Sequence, residues 1–176
     1  KTFHTEFEST IGVEFRTYNV MAGDREVKLN IWDTAGQEKF RSVSKAYFRN
    51  AQGALLVFSL TDQKSFEALD GWLNDLQSLC TPNAVVLLLG NKSDLKDDRV
   101  VPNEEANAFA TRHGLNYFET SALDASNIDE AFVRLATTIT EKINSGEIIG
   151  TIKKNSPPVV LDASTENANK NGGCFC

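Results

Sequence analysis

Two short, almost wholly apolar runs constrain this chain more than anything else in it: GALLVFSL at residues 53–60 and AVVLLL at 84–89. Runs of this length without polar alternation mark strands covered on both faces, as in a parallel sheet. Between them Phe66, Leu69, Trp72, Leu73, Leu76 and Leu79 fall on one helical face. Ile128, Ala131, Phe132, Leu135, Ile139 and Ile143 form a second such face, and a shorter helix begins after Pro102-Asn103 with Ala106, Phe109 and Ala110 inward. Residues 115–119 read as a last strand. Ahead of the first run, Val27, Leu29 and Ile31 alternate with Lys28, Asn30 and Trp32. An extended stretch at about 13–20 joins them through the turn dipeptide Gly23-Asp24, which makes an antiparallel hairpin. Strand–helix alternation of this kind predicts an α/β fold, a three-layer, doubly wound, mostly parallel sheet.

The 176 residues suit one domain of about 100–200 residues. Composition shifts near Ser145, which divides the chain into a domain at 1–145 and a tail at 146–176. The tail, with Ser156-Pro157-Pro158 and Gly172-Gly173, has little periodicity and reads as a flexible segment. With 24 acidic and 18 basic side chains the net charge is −6, which gives no support to nucleic-acid binding. Uninterrupted aliphatic sequence reaches only six residues, at 84–89, against about 20 for a membrane-spanning helix. Three cysteines, two of them in the last three positions, exclude a disulfide scaffold. His4 and His113 carry no partner pattern, no His/Cys cluster has metal spacing, and Cys80 ends an apolar helical face as a small core residue.

Three polar loops each follow an expected sheet strand: Asp33-Thr34-Ala35-Gly36-Gln37-Glu38, Asn91-Lys92-Ser93-Asp94 and Ser121-Ala122-Leu123. In doubly wound sheets ligands bind beyond the carboxyl ends of the strands, so the three could converge on one ligand. Asn-Lys-x-Asp alone reads equally well as a solvated turn. The six-residue string is far more specific, and the ordered set more specific still.

With those loops and with Ile11-Gly12-Val13-Glu14-Phe15, Lys28-Leu29-Asn30-Ile31-Trp32 and Tyr47-Phe48-Arg49-Asn50-Ala51, residues 1–145 resemble a Ras-superfamily GTPase, and within it a Rab protein. Departures are mild: Ser59 and Asn50 stand where many relatives carry Asp and Gly. The resemblance implies a GTP-binding switch that hydrolyses GTP to GDP, with Mg²⁺ as cofactor, and that recruits effectors to regulate vesicle trafficking. It implies an exchange factor, a GTPase-activating protein, a Rab escort protein and a GDP-dissociation inhibitor as partners. The protein would be a monomer on the cytoplasmic face of endosomal and Golgi membranes, cycling with the cytosol.

Physical chemistry agrees with the roles the resemblance assigns. A carboxylate at Asp94 can accept two hydrogen bonds from the N1–H and N2–H₂ edge of guanine, and adenine offers no such pair. A polar site left unpaired by the wrong ligand discriminates by about 10⁴–10⁵. Asn91 and the Ala122 N–H would read the remaining edges within the Ser121-Ala122-Leu123 loop, and the Lys92 stem would lie over the ring. Phe3 matches the family's aromatic at the base edge, with core packing as its alternative. Thr10 matches the threonine that reaches Mg²⁺ and the γ-phosphate, and Asp33 would hold the metal through water. Gly36, lacking a Cβ, can bring its N–H against the γ-phosphate. Gln37 would orient the attacking water. Loss of the γ-phosphate then frees both segments, which is the switch.

Trp32 stands on the polar side of its strand, either covered by a helix or offered to a partner. The family pattern groups it with Phe15 and Tyr47, beside Ile11, Gly12 and Val13, as an effector-binding surface. Arg41 and residues 39–49 read as the solvated face of a mobile second switch. The C-a-a-X rule fails because Gly173 is fourth from the end. Cys174 and Cys176 instead match a Cys-x-Cys ending carrying two geranylgeranyl groups, and two chains anchor stably where one does not.

No G-x-x-x-x-G-K-[ST] occurs in the sequence, which opens with Lys1 and whose single methionine is Met21. The expectation is a fold lacking its first strand, phosphate loop and first helix, with those segments encoded upstream. Two interior sheet edges, at 27–32 and 53–60, would then lack a partner. Without the loop's N–H groups and lysine, phosphates would face Asp33, and like charges about 4 Å apart cost about 4 kcal/mol at an effective dielectric of about 20. The alternative is a non-enzymatic interaction protein that keeps its partner face and lipid anchor.

Overall fold

The computed structural model describes residues 10–149, so Phe3, Cys174 and Cys176 lie outside the described residues. In chain order the elements are β1 (Val13–Ala22), β2 (Arg25–Thr34), a 3-10 turn (Glu38–Phe40), α1 (Arg41–Phe48), β3 (Gly53–Ser59), α2 (Gln63–Glu67), α3 (Leu69–Leu79), β4 (Val85–Asn91), α4 (Asn103–His113), β5 (Asn116–Glu119) and α5 (Ile128–Asn144).

The apolar runs pair as parallel neighbours, Gly53 opposite Val85 through Ser59 opposite Asn91. β5 adds in parallel on the other side of β4, from Leu87–Asn116 to Gly90–Glu119. Alternate side chains of this sheet enter two cores. On one face Leu56, Phe58 and Leu88 meet Phe66, Leu69, Leu73 and Leu76 of α2 and α3 and Ala106, Phe109 and Ala110 of α4. On the other, Val85 and Leu87 meet Leu135, with Leu55, Phe118 and Ile139 packed around them. Helices therefore cover both faces, as the unbroken apolar runs require, and the apolar stripes at 66–79, 106–110 and 131–143 all point inward. The stripe at 66–79 is shared between two helices that meet at Ala68. Asp62 caps the first of them by accepting from the Lys64 N–H at 3.0 Å.

The hairpin forms as the alternation demands, Val13 opposite Thr34 through Ala22 opposite Arg25. Gly23 opens its two-residue turn at φ +62°, a conformation that glycine adopts without strain. Val20 and Ala22 bury against Ala136 of α5, with Tyr18, Val27, Leu29 and Phe132 around them. The hairpin is a separate two-stranded sheet from β3-β4-β5, so β2 and β3 each keep an edge without a described ladder partner. Val57 of β3 is 53% exposed. The packed chain runs past Ser145: Gly146 takes φ +81°, the Glu147 and Ile148 N–H groups return to the Lys142 carbonyl, and Ile148 is buried beside Val85 and Leu87. Asn50, where many relatives carry glycine, sits at φ +64°, a region that asparagine tolerates better than most residues.

β5 is held to the loop after β4 by a polar bracket. Arg99 donates to both carboxylate oxygens of Glu119, at 2.9 and 2.5 Å, and the Tyr117 hydroxyl donates to the same carboxylate at 3.1 Å. Asn127 donates to the Glu119 backbone carbonyl at 2.7 Å. Charge-assisted, two-pronged bonds of this kind are the strong ones. The Arg99 hydrogen bond, against the opposing effect of burial, holds the Glu119 carboxyl below its usual range. Burial first, and then the Glu119 charge, push the Tyr117 phenol well above its usual value.

Gly90, the last β4 residue before Asn91, lies where a Cβ would meet Tyr117 Oη at 2.8 Å, Leu60 Cδ2 at 2.9 Å and Phe58 Cζ at 3.1 Å. Gly90→Ala should therefore cost about 1–3 kcal/mol through overpacking, read as a lower urea midpoint. Glu119→Gln should cost about 1–3 kcal/mol near neutral pH by leaving a charged donor poorly paired. Because folding lowers the Glu119 pKa, its contribution is complete above the unfolded value of about 4.3 and fades as pH falls through the folded value. Urea midpoints of wild type and variant should thus converge on acidification.

Candidate functional site

Two clusters of the expected site residues are assembled at strand ends. The first joins the tips of β4 and β5. Thr120 donates its N–H to the Gly90 carbonyl at 2.8 Å, and Ser93 donates to the Thr120 carbonyl at 3.0 Å, so the ladder continues past the strands. The Asn91 side-chain oxygen then accepts the Ala122 N–H at 3.2 Å and the Thr120 hydroxyl at 3.5 Å. The sequence assigns both Asn91 and the Ala122 N–H to a base; in the structure they bond to each other.

Backbone geometry fixes the rest of this cluster. Lys92 sits at φ +69°, a left-handed conformation costly for a non-glycine residue and typical of ligand-binding turns. The Leu95 N–H closes the turn on the Lys92 carbonyl at 3.1 Å. Within the turn Lys92 is exposed and Asp94 half-buried, and the Asp94 carboxylate has no hydrogen-bond partner among the described residues. Ser121 is fully buried and its Oγ accepts the N–H groups of Leu123 and Asp124, both at 3.2 Å. Its own N–H returns to the Ser126 carbonyl at 3.1 Å. Asp124 in turn accepts the Ser126 N–H at 2.8 Å, and its bonds to Ser126 hold its carboxyl below the usual range. Leu123 is left 55% exposed. Ser121 thus acts as the internal brace of the loop.

The second cluster lies where the hairpin opens. One step beyond the Val13–Thr34 pair, the Ala35 N–H donates to the Gly12 carbonyl at 3.0 Å, with Gly12 at φ +87°. This brings the Thr10 hydroxyl to 3.5 Å from Asp33 Oδ2. A hydroxyl and a carboxylate side by side are hard oxygen donors, which fit Mg²⁺. Gly36 and Gln37 follow, both exposed, and nothing lies within 4 Å of a Cβ built on Gly36. Gln37 stays extended before the 3-10 turn at φ −76°, ψ 135°. Among the described residues no hydrogen bond or ion pair joins this cluster to the first.

On the outer side of the hairpin, Phe15 and Trp32 face each other across the ladder with ring centroids 4.6 Å apart. Tyr47 of α1 lies 5.1 Å from Trp32. These rings are 51%, 49% and 39% exposed, and Ile11, just ahead of β1, is 79% exposed. Three adjacent half-exposed aromatics form an apolar patch with no described element over it.

Much of residues 39–49 is exposed, as a solvated face requires, but Arg41 is not free: it is tied to α3 through Asp75 and the Gly71 carbonyl. Ser44, which the sequence did not single out, is fully buried and donates to the Ala35 carbonyl at 3.2 Å. Arg99 and Glu119 were missed in the same way. All these partners are polar and distant in the chain, so no periodicity announces them.

The sequence matches the Ras family over residues 1–141. It is 49% identical to Ras-related protein Rab-4B of Homo sapiens over 146 residues, covering 83% of this chain and 68% of that protein. It is 48% identical to GTP-binding protein ypt3 of Schizosaccharomyces pombe over 137 residues, 78% of this chain and 64% of that one. To Ras-related protein RABA4b of Arabidopsis thaliana it is 43% identical over 155 residues, 88% and 69% of the two chains. A parallel sheet covered on both faces, loops at its carboxyl ends and relatives of this closeness agree: the chain belongs to the Ras family, among the Rab-type small GTPases.

Proposed function

We propose that this chain carries the base-recognition, switch and partner surfaces of a Rab-type molecular switch, which binds GTP, hydrolyses it to GDP and phosphate and recruits effectors in vesicle trafficking. The observation that carries the reading is the first cluster. Asn91 and Ala122 fasten the two loops to each other, and the half-buried Asp94 carboxylate beside them has no hydrogen-bond partner among the described residues. Guanine offers that carboxylate its N1–H and N2–H₂ donors, and adenine does not. Asn91 and the Ala122 N–H complete the recognition, the Lys92 stem covers the ring, and the Ser121–Leu123 turn sets the height of the loop. Phe3 is proposed at the base edge.

Thr10 and Asp33 would hold Mg²⁺, which when bound offsets phosphate charge. The Gly36 N–H can approach a γ-phosphate because no side chain intervenes, and Gln37, exposed next to it, can orient a water for attack. Positioning and charge stabilisation dominate this chemistry, so no strong base is needed, and an arginine from a GTPase-activating protein would add roughly 10³–10⁵ in rate. Ile11, Gly12, Val13, Phe15, Trp32 and Tyr47 form the proposed effector surface. Cys174 and Cys176 are proposed to carry geranylgeranyl groups that place the protein on endosomal or Golgi membranes, with a Rab escort protein and a GDP-dissociation inhibitor handling the lipids.

The sequence contains no phosphate loop, which favours a second reading of the 176 residues alone: a partner-binding chain without nucleotide turnover. The coding sequence upstream of Lys1 separates the two, since an open frame encoding the loop supports the enzyme.

Calorimetry of the 176-residue chain should show GTP affinity weaker than micromolar, because phosphates meet Asp33 without a compensating cradle; submicromolar binding refutes this. Base recognition is tested separately by titrating the labelled chain with guanosine and adenosine. Guanosine alone should shift the Ala122 and Leu123 amide signals, and Asp94→Ala should abolish the preference. Equal shifts from both nucleosides in the unaltered chain overturn the assignment.

A further inference from the structure

α1 is only eight residues long, too short to persist by its own hydrogen bonds, so its place depends on what it touches. One side is clasped by α3. Arg41 Nε donates to Asp75 Oδ2 at 2.6 Å, and its Nη2 donates to the Gly71 carbonyl at 2.7 Å. The Arg41 guanidinium carbon lies 5.1 Å from the Trp72 ring centroid. Lys45, one turn on, reaches Asp75 Oδ1 at 2.9 Å. Asp75 is only 14% exposed in its side chain. Burial pushes its carboxyl up, but the Lys45 and Arg41 hydrogen bonds and charges outweigh this and hold it below its usual range. Gly71 leaves room for this approach: a Cβ there would stand 3.1 Å from Arg41 Nη2, and the guanidinium would have to give by a few tenths of an ångström.

The rest of α1 touches what the sequence marks as functional. Ser44 holds the Ala35 carbonyl, one residue before Gly36, and Tyr47 stacks on Trp32. An exposed ion pair is worth little on its own, but this one is shielded, shared by two cations and reinforced by a backbone carbonyl and a ring. The aromatic patch thus has one wall, Tyr47, on a helix that is fastened to α3 by the clasp and by Phe48 against Trp72, besides its Ser44 contact with Ala35.

We propose that Asp75, with Arg41, is the positioning residue of the partner surface: the α1–α3 clasp holds Tyr47 against Trp32, and so builds the aromatic patch. The proposal rests on reading that patch as a docking face. The clasp itself is tested without any partner.

The chain has two tryptophans, so its two indole N–H signals are assigned with Trp32→Phe and Trp72→Phe. In Asp75→Asn both signals should move, Trp72 because it adjoins the clasp and Trp32 because Tyr47 has left it. The Trp32 signal should move toward its position in Tyr47→Ala, and combining the two substitutions should add little further shift at Trp32. Arg41→Lys keeps the charge but loses the fork, and should produce the same pair of shifts in smaller measure. That milder variant, with far-UV circular dichroism matching wild type, covers the case in which Asp75→Asn does not fold. Movement of the Trp72 signal with Trp32 unchanged overturns the proposal. Loss of partner binding is read independently with Trp32→Ala: a patch that binds no partner defeats the docking reading and leaves the indole result standing.

Discussion

Everything in this molecule is arranged around a strand with no dry side to spare. β4 has Leu87 and Leu88 at 0% exposure on opposite faces, each contributing about 1.5–3 kcal/mol by leaving water. A strand buried on both faces must satisfy its backbone entirely through its two parallel neighbours, and it does so through β3 and β5. Where the ladder stops, the chain faces solvent with N–H groups still to pair. Asn91 and Ser121 supply the side-chain oxygens that take them. The recognition loops are therefore what a doubly covered sheet needs at its carboxyl end, with one carboxylate, Asp94, added beyond that need.

This explains how much of the fold could be read in the amino acids. β3 and β4 are legible because burial on both sides removes polar residues, and β1 and β2 because burial on one side leaves alternation. β5, with only NYFE, has too few residues for either signal to stand out. The helices α3, α4 and α5 show a stripe because each has one apolar face on the sheet. α1 is harder to read: it is eight residues long, Ser44 is its single buried residue, and besides Phe48 against Trp72 its fastening comes from Asp75, thirty-four positions from Arg41. Polar anchoring leaves no periodic trace, so in sequence the segment reads as a solvated face.

The site divides along the same line. Asp94, Asn91, Ala122 and Asp33 were singled out because each belongs to a recognisable string that follows a strand, and Thr10 only because the family pattern places a threonine there. The groups that brace them, Ser44, Arg99 and Glu119, were not. Each brace works by geometry with a distant partner, and any of several residue types could stand there without changing a motif. Lys92 is an intermediate case. Its identity is visible in the sequence, but its left-handed backbone, in a turn closed by the Leu95 N–H on the Lys92 carbonyl, is visible only in the structure.

The hairpin ties the two sides of the function to one another. Gly12 to Ala35 and Phe15 to Trp32 lie on one antiparallel ladder, and the Thr10 hydroxyl meets the Asp33 side chain beside it. The Thr10–Asp33 pair belongs to the proposed metal and phosphate end, and Phe15–Trp32 to the proposed partner face. Trp32 and Asp33 are consecutive, so neither moves without the other. An isolated two-stranded ribbon is marginal in water, and this one is supported from α5, by Val20 and Ala22 on Ala136 and by the Tyr18 hydroxyl on Asp129. The support sits toward the turn, while the functional rungs sit at the open end beyond it. The open end is held separately, by the Ser44 hydroxyl on the Ala35 carbonyl and by Tyr47 on Trp32, so contacts at Ala35 and the aromatic face share the support of one short helix.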